Sequence, residues 1–283
     1  MRVAVTGAAG QLGRALVARL GPRLAWAGGR DELDVREAAA VTGMVERVRP
    51  DVVINAAAFN DVDGAESDPA PALAVNAAAA RHLARACRDR GALLVHVSSD
   101  YVFDGAKREP YREEDCPRPL NVYGVSKLAG CLLVSAAGGE HLIVRTSGVF
   151  GAGGSRAKGG AFVERILARA RQGAPLRVVD DQVFAPTYAA DLAEALLALV
   201  DGGARGLVHV TNSGTCSWHE LATAALDIAG VRVRVEAIRS RDLGAPARRP
   251  AYSVLAHDRA RAFGLPPLRS WRDALAEFLR GGV

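Results

Sequence analysis

Tyr123 and Lys127 stand four residues apart in Tyr123-Gly124-Val125-Ser126-Lys127, downstream of Ser98-Ser99-Asp100. Residues four apart share a helix face, so the phenol and the ammonium present their polar ends to one ligand. A cation beside a phenol favours phenolate and lowers its pKa from about 10 toward the working range, which suits Tyr123 to proton transfer. Ser99, at a strand end, is placed to hydrogen-bond the reacting oxygen. The plainer alternative is a Tyr-Lys pair on an exposed helix, and it loses weight once a second motif joins the first.

That motif is Gly7-Ala8-Ala9-Gly10-Gln11-Leu12-Gly13, a GxxGxxG turn between Val3-Ala4-Val5-Thr6 and an apolar-periodic segment. Such a turn lets backbone N–H groups approach a pyrophosphate and sets the anion at a helix N-terminus. Gly7, Gly10, Gln11, Leu12 and Gly13 are therefore candidate dinucleotide contacts. Arg30 follows the second expected strand, where an acidic residue would take a ribose 2′-hydroxyl and an arginine accommodates a 2′-phosphate. The cofactor expected is NADPH, with NADH as the alternative because Asp31 and Glu32 adjoin Arg30.

Positioning these groups calls for alternating strands and helices. Strands are expected near 2–6, 24–28, 51–55, 92–98, 141–146, 175–180 and 207–211. Helices are expected near 11–20, 37–48, 69–89, 121–137, 161–172, 188–200, 217–229 and 270–280. The pattern predicts an α/β fold, a doubly wound parallel Rossmann sheet with a smaller, interwoven C-terminal substrate lobe. Residues 1–150 and roughly 174–211 are assigned to the dinucleotide-binding unit, and roughly 151–173 and 212–283 to the substrate-binding lobe. Ligands of open α/β sheets lie beyond the strands' carboxyl ends, so Gly7, Asn55 and Ser98 to Tyr101 should face one site. The glycine-rich run at 151–160 reads as a functional or mobile loop.

Composition bounds the remaining classes. Of 283 residues, 49% are hydrophobic and 24% charged, the profile of a globular chain with a substantial core. Neither a secretory signal nor a membrane span is legible, so a cytoplasmic protein is expected. Cys87, Cys116, Cys131 and Cys216 match neither zinc nor redox-dithiol spacing and read as free thiols, with no metal site. Of 36 basic residues only Lys107, Lys127 and Lys158 are lysines, and net charge is +5. Arg232, Arg234, Arg239, Arg241, Arg248 and Arg249 form a cluster that could serve a polyanion or be a solvated face. No aromatic residue interleaves with it, which argues against nucleic acid.

With these motifs in view, the chain resembles the extended short-chain dehydrogenase/reductases, and within them the dTDP-4-dehydrorhamnose reductase family. The resemblance is carried by GAAGQLG at 7, RDELDV at 30, PDVVINAAA at 50, SSDYVFDG at 98, YGVSKLAG at 123, VRTSGVFG at 144, DDQVFAPTYAADLA at 180, GTCSWHELA at 214 and ARRPAYSVL at 247. It implies reduction of the C4 ketone of a nucleotide-linked 6-deoxy-hexulose. Ser99 would orient the carbonyl and Tyr123 donate the proton, while Lys127 would hold the nicotinamide ribose and lower the tyrosine pKa. Asp34 and Val35 would flank the adenine, and Ala56, Ala57 and Ala58 would line the cofactor channel. Ser99, Tyr101, Gly148 and Arg249 would face the substrate, with Arg249 gripping the diphosphate, and a homodimer is compatible.

Three departures from the family pattern stand out. Gly148 replaces a tryptophan that packs on the sugar, which implies relaxed hexose recognition. Cys131 replaces a glutamate, and no acidic cluster for a dimer-bridging metal is evident. Asp100-Tyr101 follows the strand-end serine where a dehydratase of this fold presents Asp-Glu, which speaks against dehydration. The alternatives sharing the resemblance are a non-catalytic cofactor-binding regulatory subunit, like that of methionine adenosyltransferase, and a related deoxysugar ketoreductase or epimerase.

Overall fold

Runs of β-branched and apolar residues form the central sheet because both faces of a parallel sheet are covered. In the computed structural model, which describes residues 1–153 and 160–281, the strands are β1 (Val3–Thr6), β2 (Leu24–Gly28), β3 (Val52–Asn55), β4 (Leu93–Ser99) and β5 (His141–Thr146). They pair in parallel in the order 2-1-3-4-5, and Gly206–His209 continues the sheet beyond β5. Strand alternation sends Val3, Val5, Val52, Ile54, Val95 and Val144 to one face, against Leu12, Leu16 and Leu20 of helix Gln11–Leu20 and Leu192, Leu196 and Leu199 of helix Ala189–Asp201. Ala4, Val53, Leu94 and Ile143 point to the other face, against helices Ala38–Val48, Ala79–Arg90 and Val122–Ala136. This is the doubly wound arrangement, with its crevice where the strand order reverses between β1 and β3.

The smaller lobe gathers helices Phe162–Arg171, Trp218–Ile228 and Trp271–Arg280 around two short strand pairs. One pair is Leu176–Val179 with Val235–Ile238, parallel, and the other is Val183–Phe184 with Cys216–Ser217, antiparallel. The expected division of the chain changes accordingly. Leu176 and Val178 pack with Val163 and Ile166 in the small-lobe core, so this stretch does not belong to the dinucleotide-binding unit. Conversely Ala260, Phe263, Leu265 and Leu268 pack on the central sheet, within a segment assigned by sequence to the lobe. Of the glycine-rich run at 151–160, residues 154–159 lie outside the described residues.

Two further differences have local causes. The helix expected over 69–89 is Pro69–Leu73, a wider π turn at Ala74–Ala78, and then Ala79–Arg90. Asn76 in that turn donates from Nδ2 to Phe59 O and Ser126 Oγ, and its Oδ1 accepts from Phe59 N, so the turn braces the helix that carries Tyr123 and Lys127. The second is Val235–Ile238, which the basic cluster hid. Val231, Val233 and Val235 pack inward while Arg232 and Arg234 are exposed, the alternation of a half-buried edge.

Candidate active site

The helix bearing Tyr123 and Lys127 starts where Asn121 Oδ1 accepts from Gly124 N at 2.7 Å, an N-cap contributing about 1 kcal/mol. Asn121 Nδ2 donates to Arg248 O, tying this start to the C-terminal segment. Tyr123 thereby packs edge-on to Tyr101, ring centroids 5.9 Å apart, near Ser99 at the end of β4. Lys127, 2% exposed, donates from Nζ to Val97 O at 2.7 Å. Lys127 thus reaches β4, the strand that ends in Ser99.

Their electrostatics differ from the expectation. Burial pushes the Tyr123 phenol up to about 12, and the neighbouring Ser99 hydroxyl pulls only partly the other way. Burial also lowers the Lys127 ammonium to about 8. The Lys127 ammonium, which donates to the Val97 carbonyl, does not overcome that burial. The phenol therefore stays protonated at neutral pH, the state a proton donor needs.

A residue that motif reading used only to argue against dehydration organises this corner. Asp100, 3% exposed, accepts from Ser99 Oγ at 3.0 Å, Ser147 Oγ at 2.6 Å and Ser253 Oγ at 2.6 Å. Burial raises its pKa while the three hydroxyls oppose that shift. These bonds join β4, the segment after β5 and the C-terminal segment in one polar knot. The signal for it, serines more than forty residues apart in the chain, has no local pattern to read.

The glycine turn fits a pyrophosphate. Gly7 has φ +69°, and a Cβ there would meet Ala57 N at 2.5 Å, so only glycine permits this approach of the two segments. Helix Gln11–Leu20 has Gly10 as N-cap, with neither a side-chain cap nor an acidic residue in its first turn, which leaves its N–H groups to an anion. Leu12 points into the core and Gln11 donates to Gly151 O, so Leu12 offers a ligand only its backbone. Ala56, Ala57 and Ala58 are half-buried beside the turn.

Asn55 corrects an expectation. Its side chain turns inward, accepting from Thr6 Oγ1 at 2.8 Å and bonding buried His96 Nδ1 at 3.2 Å, so it pins the turn and does not face a ligand. Near the adenosine end Asp34 is bonded by Arg36 Nε and held down at about 2, while Val35 is packed in the core. Arg30 is exposed and acts on Asp34 through its charge. Glu32 Oε2 accepts from Gly29 N.

A small pocket next to Tyr101 is lined by Asp100, Gly148, Phe184, Trp218 and Pro250. Gly148 has φ +48°, and a Cβ there would sit 2.2 Å from Phe184 Cε2. The ring of Phe184, from another segment, lies directly against Gly148. Arg249 donates to Asp63 Oδ2 and Ala247 O, so its guanidinium is engaged within the protein. Arg239 pairs with Asp180 and Arg241 with Asp242, which divides the basic cluster among local partners.

The family profile described as RmlD substrate binding domain matches residues 1–282. The chain belongs to this family. A dTDP-4-dehydrorhamnose reductase of Mycobacterium tuberculosis (strain ATCC 25618 / H37Rv) is 45% identical, with 98% of this chain and 92% of that protein covered. A dTDP-4-keto-6-deoxy-D-glucose reductase of Streptomyces niveus is 39% identical over 96% of this chain and 94% of its own. The crystal structure of the dTDP-4-dehydrorhamnose reductase of Bacillus anthracis in complex with NADP superposes with a TM-score of 0.94 at 36% identity, covering 99% of both chains. Among the described residues of this family member, no group of three or more His, Cys, Asp and Glu could hold a metal ion, and no helix is long and apolar enough to cross a membrane.

Proposed function

We propose that the protein is an NADPH-dependent oxidoreductase that reduces the C4 ketone of a nucleotide-linked 6-deoxy-hexulose, dTDP-4-dehydro-L-rhamnose to dTDP-L-rhamnose. The observation that carries this reading is the convergence of a protonated phenol, Tyr123, and a strand-end hydroxyl, Ser99, on the crevice that also holds the glycine turn. The reduced nicotinamide, when bound, supplies the hydride. Gly7, Gly10 and Gly13 with the helix N-terminus would hold its pyrophosphate, and Ala56 to Ala58 would border it. Tyr123 gives the carbonyl oxygen its proton. Ser99 steadies that oxygen only by turning to it the hydroxyl hydrogen that Asp100 accepts in the free protein.

The reading includes a cytoplasmic setting, supported by four unpaired cysteines, three of them buried. Its test is loss of reduced-nicotinamide absorbance when purified protein meets dTDP-4-dehydro-L-rhamnose. Turnover with formation of dTDP-L-rhamnose is the expected result, and cofactor binding without reduction of any nucleotide-linked 4-ketohexose would overturn it in favour of a binding subunit.

Cofactor choice makes a separate prediction. Arg30 is exposed just after β2, whereas Arg36 is committed to Asp34. One charge-assisted contact to a 2′-phosphate contributes about 1.5 to 3 kcal/mol, about tenfold to a hundredfold in affinity. Arg30→Ala should weaken NADPH by that factor and leave NADH nearly unchanged. Titration of both reduced cofactors decides it, and equal ratios in wild type and variant would reject the role of Arg30.

A further inference from the structure

The helix that carries Tyr123 begins, like any α-helix, with backbone N–H groups that have no partner within the helix itself. Val125 N makes the first helical bond, to Asn121 O, and Asn121 Oδ1 takes Gly124 N. The first turn of this helix holds no acidic residue. One comes from elsewhere: Glu66, on the short helix Val62–Ser67 and 56 residues away in the chain, accepts from Val122 N at 2.8 Å through Oε1. Val122 directly precedes Tyr123. A carboxylate from a separate element therefore holds the peptide next to the proton donor, at the helix end where a negative charge is favoured.

Neighbouring bonds make that hold a fixed reference. Asp63, three residues before Glu66 on the same short helix, accepts from Ala247 N at 3.2 Å and from Arg249 Nη2 at 2.7 Å, and Asn121 Nδ2 donates to Arg248 O at 2.7 Å. The short helix, the start of the Tyr123 helix and residues 247–249 thus form a closed triangle. The same C-terminal segment reaches Asp100 through Ser253, and Asp100 adjoins Ser99. On its other side the helix start backs onto Tyr101, where a Cβ on Gly124 would sit 2.2 Å from the Tyr101 carbonyl oxygen. Without the Glu66 bond the helix start is free to lean away from Tyr101, and Tyr123 moves with it.

We propose that Glu66 is a positioning residue for Tyr123, setting where the phenol stands relative to the end of β4 by holding Val122 N. It takes no part in the proton transfer itself. What the position requires is an acceptor oxygen at this reach, so Glu66→Gln preserves the function and shorter side chains lose it. Misplacement of a reacting group by about 1 Å costs up to about a hundredfold in rate, which bounds the effect. The inference rests on the reductase reading above.

Single-turnover oxidation of bound NADPH by dTDP-4-dehydro-L-rhamnose reads the reacting step, and a separate titration reads NADPH affinity. Glu66→Ala should slow the step by about tenfold to a hundredfold while changing NADPH affinity by less than about twofold, and Glu66→Gln should stay within about threefold of wild type. Glu66→Asp keeps the charge but falls one methylene short; it should show a smaller loss of the same kind, and it carries the comparison if Glu66→Ala does not fold. The decisive background is Tyr123→Phe. A residue that acts through the phenol has nothing left to act on there, so shortening Glu66 should add less than about twofold to the loss. A full multiplicative loss in that background, Glu66→Gln as slow as the shortened variants, or a loss of NADPH affinity equal to the loss of rate would overturn the assignment. A wild type that reduces its keto sugar while the shortened variants keep its rate sinks this inference alone; a wild type that reduces no nucleotide-linked 4-ketohexose sinks the reductase reading and this inference with it.

Discussion

Tyr123→Phe is expected to lower the rate of ketone reduction by about 10² to 10⁴, the usual contribution of a positioned general acid. The substitution removes one oxygen and leaves the ring, so the edge-on contact with Tyr101 at 5.9 Å persists and the fold should be unaffected. Cofactor affinity should be nearly unchanged, because the turn that holds the pyrophosphate is built by Gly7, Gly10 and Gly13 elsewhere in the crevice. Burial keeps the phenol of the free protein protonated, pushed up to about 12, so its own ionisation does not limit reduction near neutral pH. Single-turnover oxidation of bound NADPH measures the proton-coupled step directly. A phenylalanine variant with wild-type rates would remove Tyr123 from the mechanism and leave Ser99 as the candidate partner of the carbonyl.

What could be read in the chain before its fold was what is encoded locally. The glycine turn, the strand-end serine and the Tyr-xxx-Lys spacing each lie within a few residues, and the sheet's apolar runs are continuous because both of its faces are covered. Groups assembled across long separations were not legible in that way. Asp100 reaches Ser147 and Ser253, and Phe184 lies against Gly148; neither contact has a sequence period. Electrostatics were misjudged for a related reason. The four-residue spacing places Lys127 on the face of Tyr123, but only the fold reveals the Val97 carbonyl that takes its ammonium and the burial that moves both groups. The strand at Val235–Ile238 was legible in principle, since Val231-Arg232-Val233-Arg234-Val235 alternates strictly, yet the arginines drew attention to charge before pattern.

Lys127→Met is expected to stabilise the protein while abolishing most of its activity. Lys127 is 2% exposed, and burial lowers its pKa from the ordinary 10.5 to about 8. Between those two values the unfolded chain holds a proton that the folded chain has released, so stability rises with pH across that window. Below about pH 8 the folded protein carries the full penalty of the buried charge, about 3 kcal/mol. Methionine has no charge to desolvate and fills a similar volume, but it forfeits the bond to Val97 O, worth about 1.5 to 3 kcal/mol for a charged donor. The net gain near neutral pH should then be about 1 kcal/mol, and the rise in stability above pH 8 should disappear. Activity moves the opposite way, because an ammonium at the crevice favours charge developing on the phenol oxygen and a thioether does not. For wild type, kcat/KM should fall as pH rises through about 8, where free Lys127 loses its charge, and the variant should be slow and flat across the same range. Urea unfolding and steady-state rates measured on both proteins over one pH series test the two halves together. A variant that is less stable than wild type at neutral pH, or that keeps the same alkaline fall in kcat/KM, would show that the charge at 127 is neither the strained group nor the titrating one.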